Sequence, residues 1–575
     1  MGIFNFKKDD NLGNVTQVDT TTVFIRVPSS EKLTEAKVGR LTALKGRPGE
    51  WLIAMVERVI RKFYEDKTDE KNIKDNGKED EGDVGQEENV VHLLLVGTLR
   101  DKDGEKENVF TRSVLSVPNI DAPCYPIEGK ELESFMGVIS SVSVHENALN
   151  IGTYTLDEKA ETYLDGNKFF QRHAALLGST GSGKSWTVAS ILEKASQLPS
   201  ADIILFDLHG EYSTLEYAKH IRIAGPNDLE GTGDEVLFLP YWLLNFEEMQ
   251  EMFIDRSEFS AHNQVMVFQD AVSGAKKRSL EKEGKIEILK SFTIDSPVPF
   301  SLNEVIQTIK DLNEEMVQGQ RGLKQGNFFG QFSRLLVRLN SRITDKRYGF
   351  IFQAHEKYHA YEALHAIAQS LLGFEDKEKG IKVIDFSEVP SDILPVIVGL
   401  VARVIYETQF WMDVEKRHPI AFVCDEAHRY LPLDQNINPF ERRALENFRR
   451  IAKEGRKYGV ALLIVSQRPS EVNPTILSQC NNFIALRLTN TRDQAVVKGL
   501  MPDSLGALMD FLPMLDIGEA VVVGDAVLLP TRVKLHKPTY EPTSATINFW
   551  DEWNKEDAQS EIVKAVENMR RQSRD

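Results

Sequence analysis

The sequence predicts an α/β protein with a small β-barrel at its N-terminal end. From about residue 165, apolar strand patterns alternate with helical patterns, as a parallel sheet covered by helices requires. Residues 12 to about 150 instead carry short β-rich runs, punctuated by glycine and proline, without long helical patterns. The chain has 575 residues, more than one hydrophobic core usually supports, so two or three domains are expected.

Composition excludes several classes of protein. Hydrophobic residues make up 41% of the chain and charged residues 27%, as in ordinary globular proteins. The three cysteines are widely spaced and predict neither a disulfide framework nor a zinc site. Because we find no apolar run of about 18 residues and no signal-peptide pattern, we expect a cytoplasmic protein that does not span a membrane. The net charge of −18 argues against a surface covered with nucleic-acid contacts, although a channel can be locally basic.

The β-barrel is predicted at residues 1–150, with strand patterns that include Trp51–Val56 and Val90–Val96. Within it, residues 65–89 carry eleven acidic side chains and four lysines, a net charge of −7. This segment has almost nothing apolar to bury, which predicts a disordered loop or a long hairpin insertion. The barrel shows no catalytic constellation, so assembly or docking and a purely structural role both stay open.

The motif that organises the chain is G-S-T-G-S-G-K-S, which fits the phosphate-binding pattern G-x-x-x-x-G-K-[ST] at every fixed position. It lies between an apolar strand pattern at 173–177 and a helical pattern at 186–197, the context in which such a loop binds phosphate. Lys184 is predicted to contact the outer phosphates of ATP, and Ser185 to hold Mg²⁺. The predicted phosphate-binding residues are Gly178, Ser179, Thr180, Gly181, Ser182, Gly183, Lys184 and Ser185.

A second set of chemistry-bearing residues follows the buried strand pattern Ile420–Cys424. Asp425 is predicted to hold Mg²⁺ through water, and Glu426 to polarise the attacking water. Asp425 to His428 also spell the letters of one helicase superfamily, whose members carry two α/β folds with ATP between them. This chain has one glycine loop and one such acid pair, so the second half of the ATP site must come from another copy. That predicts a ring.

Two further strand ends carry polar residues. Asp207, His209 and Glu211 follow the strand pattern 203–206 and are predicted to face the phosphate site, although a turn capped by Asp207 explains much of the same pattern. Gln467 follows the strand pattern 460–465 and is predicted to sense the γ-phosphate or to orient the water.

Two groups of arginines have both a functional and a plain interpretation. Arg449, Arg450 and Arg456 lie on or just after a helical pattern at 440–454 and are candidates to reach the ATP of a neighbouring subunit. Each of them is equally explained as a surface arginine. A helical insertion is predicted at about 240–350, where Arg334, Arg338 and Arg342 recur every four residues. That basic face either pairs with nearby acids or follows phosphates.

Taken together, these motifs resemble the HerA family, within the HerA/FtsK class of DNA-pumping ATPases. The resemblance rests on the glycine loop, on Asp207 to Tyr212, on Ile384-Asp-Phe-Ser387, on Asp425 to His428, and on Glu454 to Val460 before Ser466 to Ser470. The β-rich segment, with Gly13-x-Val15 and Val38-Gly-Arg40, is similar to the small HAS-type barrel that opens HerA proteins. The resemblance covers most of residues 12 to 535, and its ATPase motifs are highly specific.

The resemblance implies a RecA-like core at 151–535, a homohexameric ring, ATP and Mg²⁺ at subunit interfaces, and translocation of double-stranded DNA through a central pore. It implies phosphate-loop roles for Lys184 and Ser185, metal and water-activating roles for Asp425 and Glu426, and a sensor role for Gln467. Arg172 matches a basic position of the family that is a candidate for phosphate contact. Residues 536–575 are expected to form a tail helix that braces a neighbouring subunit, with a frayed surface helix as the alternative.

Family members commonly work with a partner, either a NurA-like nuclease or, in anti-phage modules, a nuclease or a sirtuin-like NAD-degrading effector. Docking of such an effector on the N-terminal barrel is expected, and the sequence does not choose among these partners or between repair and defence. The predicted function is therefore an ATP-dependent DNA translocase or helicase. The alternative is an ATP-regulated ring that organises an effector enzyme without DNA pumping. A membrane-anchored conjugation pump is disfavoured, because its usual membrane segment is not found.

Overall fold

The computed structural model describes residues 2–64, 86–104, 106–114, 116–143, 149–230, 236–320, 322–373, 380–435, 437–501, 505–543, 547–555 and 562–572. Contacts divide the chain into two compact units. The first unit combines Met1–Lys194 with Cys480–Lys537, and the second combines Ala195–Gln479 with Pro538–Asp575. The domain boundaries expected near 150 and 535 stay predictions.

The N-terminal part of the first unit is a closed six-stranded barrel, which confirms the predicted β-barrel. The sheet that forms it has seven strands, six in the ring and β6 beside it: β1 (Gly13–Val18), β2 (Thr22–Arg26), β3 (Leu41–Lys45), β4 (Glu50–Tyr64), β5 (Gln86–Asp103), β6 (Lys106–Thr111) and β7 (Pro123–Pro126), with the short helix α1 (Ser30–Leu33). The antiparallel ring runs β2-β1-β7-β3-β4-β5 and closes by pairing of β5 with β2. Strand β6 extends the ring at β5.

The barrel closes around side chains that alternate along its strands. Val23 and Ile25 on β2 and Val91 and Leu93 on β5 are fully buried in one apolar cluster, as period-two alternation predicts. Residues 86–89 of the acidic segment begin β5 and pair with residues 61–64 of β4. The last four residues of the predicted insertion thus belong to β5, where Lys62 and Glu88 carry opposite charges at paired positions of the ladder. Residues 65–85 lie outside the described residues.

The rest of the first unit is a mixed sheet with helices. Its elements are α2 (Gly129–Ser143), β8 (Leu149–Tyr154), β9 (Asp157–Leu164), α3 (Gly166–Gln171), β10 (Ala174–Leu177), α4 (Lys184–Ser196), which crosses into the second unit at its last two residues, β19 (Asn482–Leu486), α15 (Thr491–Gly499), α16 (Gly506–Met509), β20 (Glu519–Gly524) and β21 (Thr531–Leu535). Strand β10 runs parallel to β19, and β19-β20-β21-β8-β9 follow as antiparallel neighbours. Strand β10, which leads into the glycine loop, is buried along its whole length.

The second unit is built on a parallel sheet, as the alternating sequence pattern predicts. Its strands are β11 (Ile203–Asp207), β12 (Ala218–Ile223), β13 (Val236–Leu237), β16 (Ile381–Asp385), β17 (Ile420–Cys424) and β18 (Val460–Ser466). They lie in the order β13-β12-β16-β11-β17-β18, and every pairing is parallel. All carboxyl ends therefore lie along one edge, where α/β folds place their ligand sites.

Helices account for most of the remaining second unit. They are α5 (Phe246–Phe253), α6 (Ala261–Lys282), α7 (Ile286–Lys290), α8 (Leu302–Glu314), α9 (Ser333–Thr344), α10 (Gly349–Phe352), α11 (Ala363–Leu372), α12 (Leu394–Trp411), α13 (Pro439–Glu454) and α14 (Pro474–Leu477). A small hairpin of β14 (Met316–Gly319) and β15 (Gly322–Gln325) lies between α8 and α9. Helix α12 is apolar and long enough to cross a membrane, but 72% of it is buried in the protein and it packs against α13.

The basic face of α9 is engaged in ion pairs. The Arg338 guanidinium lies 2.5 Å from the Glu258 carboxylate, and that of Arg342 lies 4.6 Å from the centre of the Tyr348 ring and 3.5 Å from Asp392. These contacts support the interpretation of the face as one that pairs with nearby acids.

The tail forms two short helices, α17 (Phe549–Trp553) and α18 (Ile562–Arg571), whose apolar side chains are exposed. Before them, residues 540–543 lie on the turn that follows β11. The Thr543 N–H donates to the Glu211 carbonyl at 2.8 Å, and the Thr214 hydroxyl donates to the Glu541 carbonyl at 2.7 Å. The bracing of a neighbouring subunit stays a prediction.

Candidate functional site

The glycine loop of the first unit has the backbone that phosphate binding requires. Gly181 and Gly183 have φ angles of 71° and 102°, in the left-handed region that favours glycine. A Cβ on Gly178 would lie 2.6 Å from the Ser182 Oγ and 2.8 Å from the Leu486 Cβ, so only glycine fits there. The Ser182 Oγ is buried without a hydrogen-bond partner among the described residues, as expected of a loop that binds a polar ligand.

Lys184 and Ser185 begin helix α4, whose 13 residues follow the loop. The buried Lys184 ammonium donates to the Ser179 carbonyl at 3.2 Å and so folds back over the loop. The helix N-terminus adds a favourable field for an anion. These features fit a bound nucleotide phosphate, with Ser185 as the hydroxyl that would face its metal ion.

Arg172 precedes β10 and forms an ion pair with the Asp525 carboxylate, within the first unit. About 39% of its side chain is exposed. Its described partner is therefore an acid, and the phosphate contact expected from the family stays a prediction.

In the second unit, Asp425 follows β17 and is almost fully buried. Its Oδ1 accepts the N–H of Glu426 at 2.8 Å, and its Oδ2 accepts the Tyr212 hydroxyl at 2.8 Å. Burial, together with the neighbouring Glu426 charge, raises the pKa of Asp425 to about 7, although the Tyr212 bond works in the opposite direction. A buried carboxylate at this strand end gains most from a bound cation, which favours its ionised form.

Glu426 lies at a strained point of the backbone and at the centre of a polar cluster. Its φ of 45° is unusual for a residue with a Cβ, and such strain is concentrated at functional sites. Its Oε2 is 3.2 Å from the Gln467 Nε2 and 3.2 Å from the His428 Nδ1. Burial lowers the pKa of His428. The Ser466 hydroxyl lies 3.4 Å from the same nitrogen.

Sequence reasoning selected Glu426 and Gln467, and the structure brings them together at the ends of neighbouring strands. It did not assign His428, although that residue was part of the quoted motif. The sequence did contain a signal for His428, because an ionisable side chain lies two positions after Glu426.

Asp207 is a turn-capping residue, and its predicted position facing the phosphate site stays a prediction. Its Oδ1 accepts main-chain N–H groups from His209, Gly210 and Glu211 at 2.9 to 3.2 Å, and its Oδ2 accepts that of Tyr212 at 3.0 Å. Both carboxylate oxygens are thus used by the turn, which supports the alternative left open by the sequence. Burial is the main cause of the raised pKa of Asp207.

His209 and Glu211 donate to the Asp207 carboxylate through their main-chain N–H groups and not through their side chains. His209 is exposed and Glu211 is half-buried, while the main-chain carbonyl of Glu211 accepts from the tail. Their phosphate contacts stay predictions.

The three candidate arginines have different surroundings. Arg449 pairs with the Asp434 carboxylate and lowers the pKa of that acid. The Arg450 guanidinium stacks 5.1 Å from the Tyr406 ring centre and 5.3 Å from that of Phe410. Arg456 is exposed and forms no salt bridge with any residue in the described ranges.

Arg456 also lies at the opposite edge of the sheet from the acid pair. It belongs to the turn before β18, where the Gly459 carbonyl accepts the Ile420 N–H at the start of β17. Strand β17 has five residues, so its first and last Cα atoms are separated by about 13 Å. Arg456 therefore lies away from the acids of its own chain, and its contact with the ATP of a neighbouring subunit stays a prediction.

No group of three or more His, Cys, Asp or Glu side chains within the described ranges forms a metal cage. Mg²⁺ in nucleotide sites is usually held by one or two protein oxygens, waters and phosphates. Ser185 in the first unit and Asp425 in the second unit each carry an oxygen of the kind that such sites use.

A glycine loop of this geometry and an acid pair at the end of a buried parallel strand define the class of P-loop ATPases. Residues 149–405 match the family model described as the central domain of helicase HerA, DUF87. The chain is thus a P-loop ATPase whose residues 149–405 are similar to the central domain of helicase HerA, and the resemblance predicted from the sequence is confirmed.

Known proteins of similar sequence extend this finding over most of the chain. A probable helicase of Methanocaldococcus jannaschii is 26% identical over 489 residues, which cover 82% of this chain and 81% of that protein. The DNA double-strand break repair helicase HerA of Pyrococcus furiosus is 27% identical over 453 residues, covering 71% and 74%. Among solved structures, VirB4 of Thermoanaerobacter pseudethanolicus covers 69% of this chain and 99% of its own at 15% identity, with a TM-score of 0.45.

Proposed function

We propose that this protein is an ATP-dependent translocase or helicase that acts on double-stranded DNA as a cytoplasmic homohexameric ring. The observation that carries the ATPase half is the Glu426 carboxylate, held by Gln467 and His428 at the ends of buried parallel strands. The DNA half is supported by relatives whose names describe DNA double-strand break repair helicases.

The proposed catalytic roles follow from the chemistry of each side chain. Lys184 contacts the outer phosphates, and Ser185 and Asp425 hold Mg²⁺, which neutralises charge on the phosphates when bound. Glu426 accepts a proton from the attacking water, and Gln467 orients that water. The His428 ring, whose Nδ1 lies 3.2 Å from the Glu426 Oε2, holds the Glu426 carboxylate in one direction.

The sequence motifs support the proposed ring. One glycine loop and one acid pair are present, and charge on a transferring phosphoryl group is commonly stabilised by an arginine from a second subunit. Arg456 is the first choice for that role, because it is exposed and unpaired among the described residues. Arg449 and Arg450 follow, since ion pairing and stacking already engage them.

The protein would work with an effector, a NurA-like nuclease or a sirtuin-like NAD-degrading enzyme docked on the barrel, in DNA end processing or anti-phage defence. The second candidate function is an ATP-regulated ring that organises such an effector. It is favoured by the closed barrel, which has no catalytic group of its own within the described residues and is free to serve as a docking module.

The test is ATP hydrolysis by the purified chain alone, with linear duplex DNA, and with heparin as a polyanion control. Lys184→Ala and Glu426→Gln should abolish hydrolysis. Glu415→Gln, which changes an exposed acid before β17, is the matched control and should not abolish hydrolysis.

Specific stimulation of hydrolysis by duplex DNA supports the translocase. Hydrolysis that ignores DNA, with partner activity surviving in Glu426→Gln, contradicts it and favours the scaffold. Light scattering with and without nucleotide tests the hexamer.

A further inference from the structure

The turn after β11, residues 207–217, is fixed at three points, and we call it the Asp207 turn. The Asp207 carboxylate caps the turn by accepting four main-chain N–H groups, those of residues 209–212. The Tyr212 side chain, which is fully buried, connects it to β17. Tail residues 540–543 bind it through the Glu211 carbonyl and the Thr214 hydroxyl. The Asp207 turn is thus a bridge between the tail and the acid pair.

Tyr212 controls the direction of the Asp425 carboxylate. Its hydroxyl donates to Oδ2 at 2.8 Å, while the Glu426 N–H holds Oδ1 at 2.8 Å. With one fixed donor on each oxygen, the plane of the carboxylate cannot rotate without breaking a buried hydrogen bond. A carboxylate has about four acceptor positions, so two remain for other partners.

A second buried tyrosine provides a contrast within the same few residues. The Tyr430 hydroxyl donates to the main-chain carbonyl of Asp425 at 3.0 Å, and this tyrosine is also fully buried. Both phenols therefore hold the same residue, but only Tyr212 touches its carboxylate. Tyr212 thus fixes the direction of the Asp425 side chain, whereas Tyr430 stabilises the main chain at the same residue.

We propose that Tyr212 is a positioning residue for Mg²⁺ binding: its hydroxyl orients the Asp425 carboxylate, and tail residues 540–543 keep the Asp207 turn in the place that this bond requires. The inference rests on the proposed function, in which Asp425 holds the metal ion of ATP. Tyr212 does not touch the reacting atoms. It acts by reducing the number of orientations that Asp425 samples before the metal ion binds.

The first experiment measures the Mg²⁺ dependence of ATP hydrolysis by the full chain. Tyr212→Phe removes one oxygen atom and leaves the buried ring. We expect the half-saturating Mg²⁺ concentration to rise about tenfold, because a hydrogen bond to a charged group is lost. The rate at saturating Mg²⁺ should stay within about twofold, because the same carboxylate still binds the ion once it is in excess.

The second readout does not depend on turnover. Binding of Mn²⁺ in the presence of ADP, followed by the electron paramagnetic resonance signal of free Mn²⁺, should weaken by a similar factor in Tyr212→Phe. Tyr430→Phe is the matched control. It should lower the melting temperature as much as Tyr212→Phe does, and leave the Mg²⁺ and Mn²⁺ dependence unchanged.

The tail contribution is tested with Thr214→Val, which removes the hydroxyl that binds the Glu541 carbonyl and keeps the shape of the side chain. We expect a two- to threefold rise in half-saturating Mg²⁺. Because Thr214 is half-buried, this variant also serves where the change at Tyr212 prevents folding. An unchanged metal dependence in Thr214→Val would overturn the role of the tail.

The outcomes separate this inference from the proposed function. A wild-type chain without Mg²⁺-dependent hydrolysis contradicts the proposed function itself. A wild type that hydrolyses ATP, together with a Tyr212→Phe variant whose metal dependence is unchanged or shared by Tyr430→Phe, overturns the positioning role and leaves the ATPase intact.

Discussion

The glycine loop and the acid pair are both suited to bind a charged ligand, but they use different parts of the chain to do so. The loop uses its main chain, with glycines at φ angles of 71° and 102° and a lysine that folds over it. The acid pair uses side chains that already have polar partners: Asp425 accepts from Tyr212, and Glu426 contacts His428 and Gln467. Ligand binding by the loop should therefore be weakened by substitutions that add atoms, and ligand binding by the acid pair by substitutions that remove hydrogen bonds.

The largest effect should separate ligand binding from chemistry. Lys184→Ala removes the charge that contacts the outer phosphates, so we expect ATP affinity to fall at least tenfold. Glu426→Gln keeps the shape and removes only the base, so ATP should bind within about threefold of wild type while hydrolysis falls by 10² or more, as is typical for loss of a general base. Equilibrium binding of a fluorescent ATP analogue checks both. Equal loss of affinity in the two variants would contradict this division of labour.

A single methyl group should disrupt the loop. Gly178→Ala places a Cβ 2.6 Å from the Ser182 Oγ and 2.8 Å from the Leu486 Cβ, so the loop must shift. We expect nucleotide affinity to fall about tenfold or more. Gly166→Ala is the control, because a Cβ there meets nothing within 4 Å. Nucleotide titration of both variants measures the effect, and equal affinities would show that the loop is more adaptable than its packing implies.

The acid pair should respond to pH, and the loop should not. The pKa of Asp425 is raised to about 7, so below that value a proton competes with Mg²⁺ for the carboxylate. Half-saturating Mg²⁺ should therefore rise as pH falls from 8 to 6. In the metal-free chain the sign for stability is the reverse: protonated Asp425 favours the folded state, and this contribution is lost as pH rises through about 7. Metal titrations and denaturant unfolding at several pH values test the two signs.

The smallest effect concerns stability at the Asp207 turn. Asp207→Asn replaces one acceptor oxygen by an NH₂ group, which faces either the Tyr212 N–H or the three N–H groups of residues 209–211. We expect the free energy of unfolding to fall by about 1–3 kcal/mol. Asp413→Asn, an exposed acid before β17, should change it by less than about 0.5 kcal/mol. Urea denaturation provides both values.

Local sequence patterns were sufficient to predict the structural elements that carry short motifs. The glycine loop, the strand that ends at Asp425 and the barrel follow from periodicity and spacing, because the determinants lie within a few residues of each other. The bond between Tyr212 and Asp425 joins residues 213 positions apart. No local pattern contains that contact, so sequence reasoning quoted Tyr212 in a motif without giving it a role.

The same limit explains the arginines and Asp207. Arg449 and Arg456 lie seven positions apart, yet one is held by Asp434 and the other lies at the far edge of the sheet. Which of them is available depends on where α13 ends against β18, a property of packing rather than of spacing. For Asp207, a cap and a ligand contact require the same residue type after a strand. Only the four N–H donors distinguish the two.

The division of the chain into units also sets an order for folding during synthesis. Strand β10 pairs with β19, and β8 pairs with β21, so the first unit needs residues on both sides of the 285-residue segment Ala195–Gln479. At about 5–20 residues per second, that segment takes between about 15 and 60 s to synthesise. Throughout that interval the glycine loop has no β19 beside it, while the barrel already has all its strands. The nascent chain therefore carries a complete barrel long before it can carry a complete ATP-binding loop.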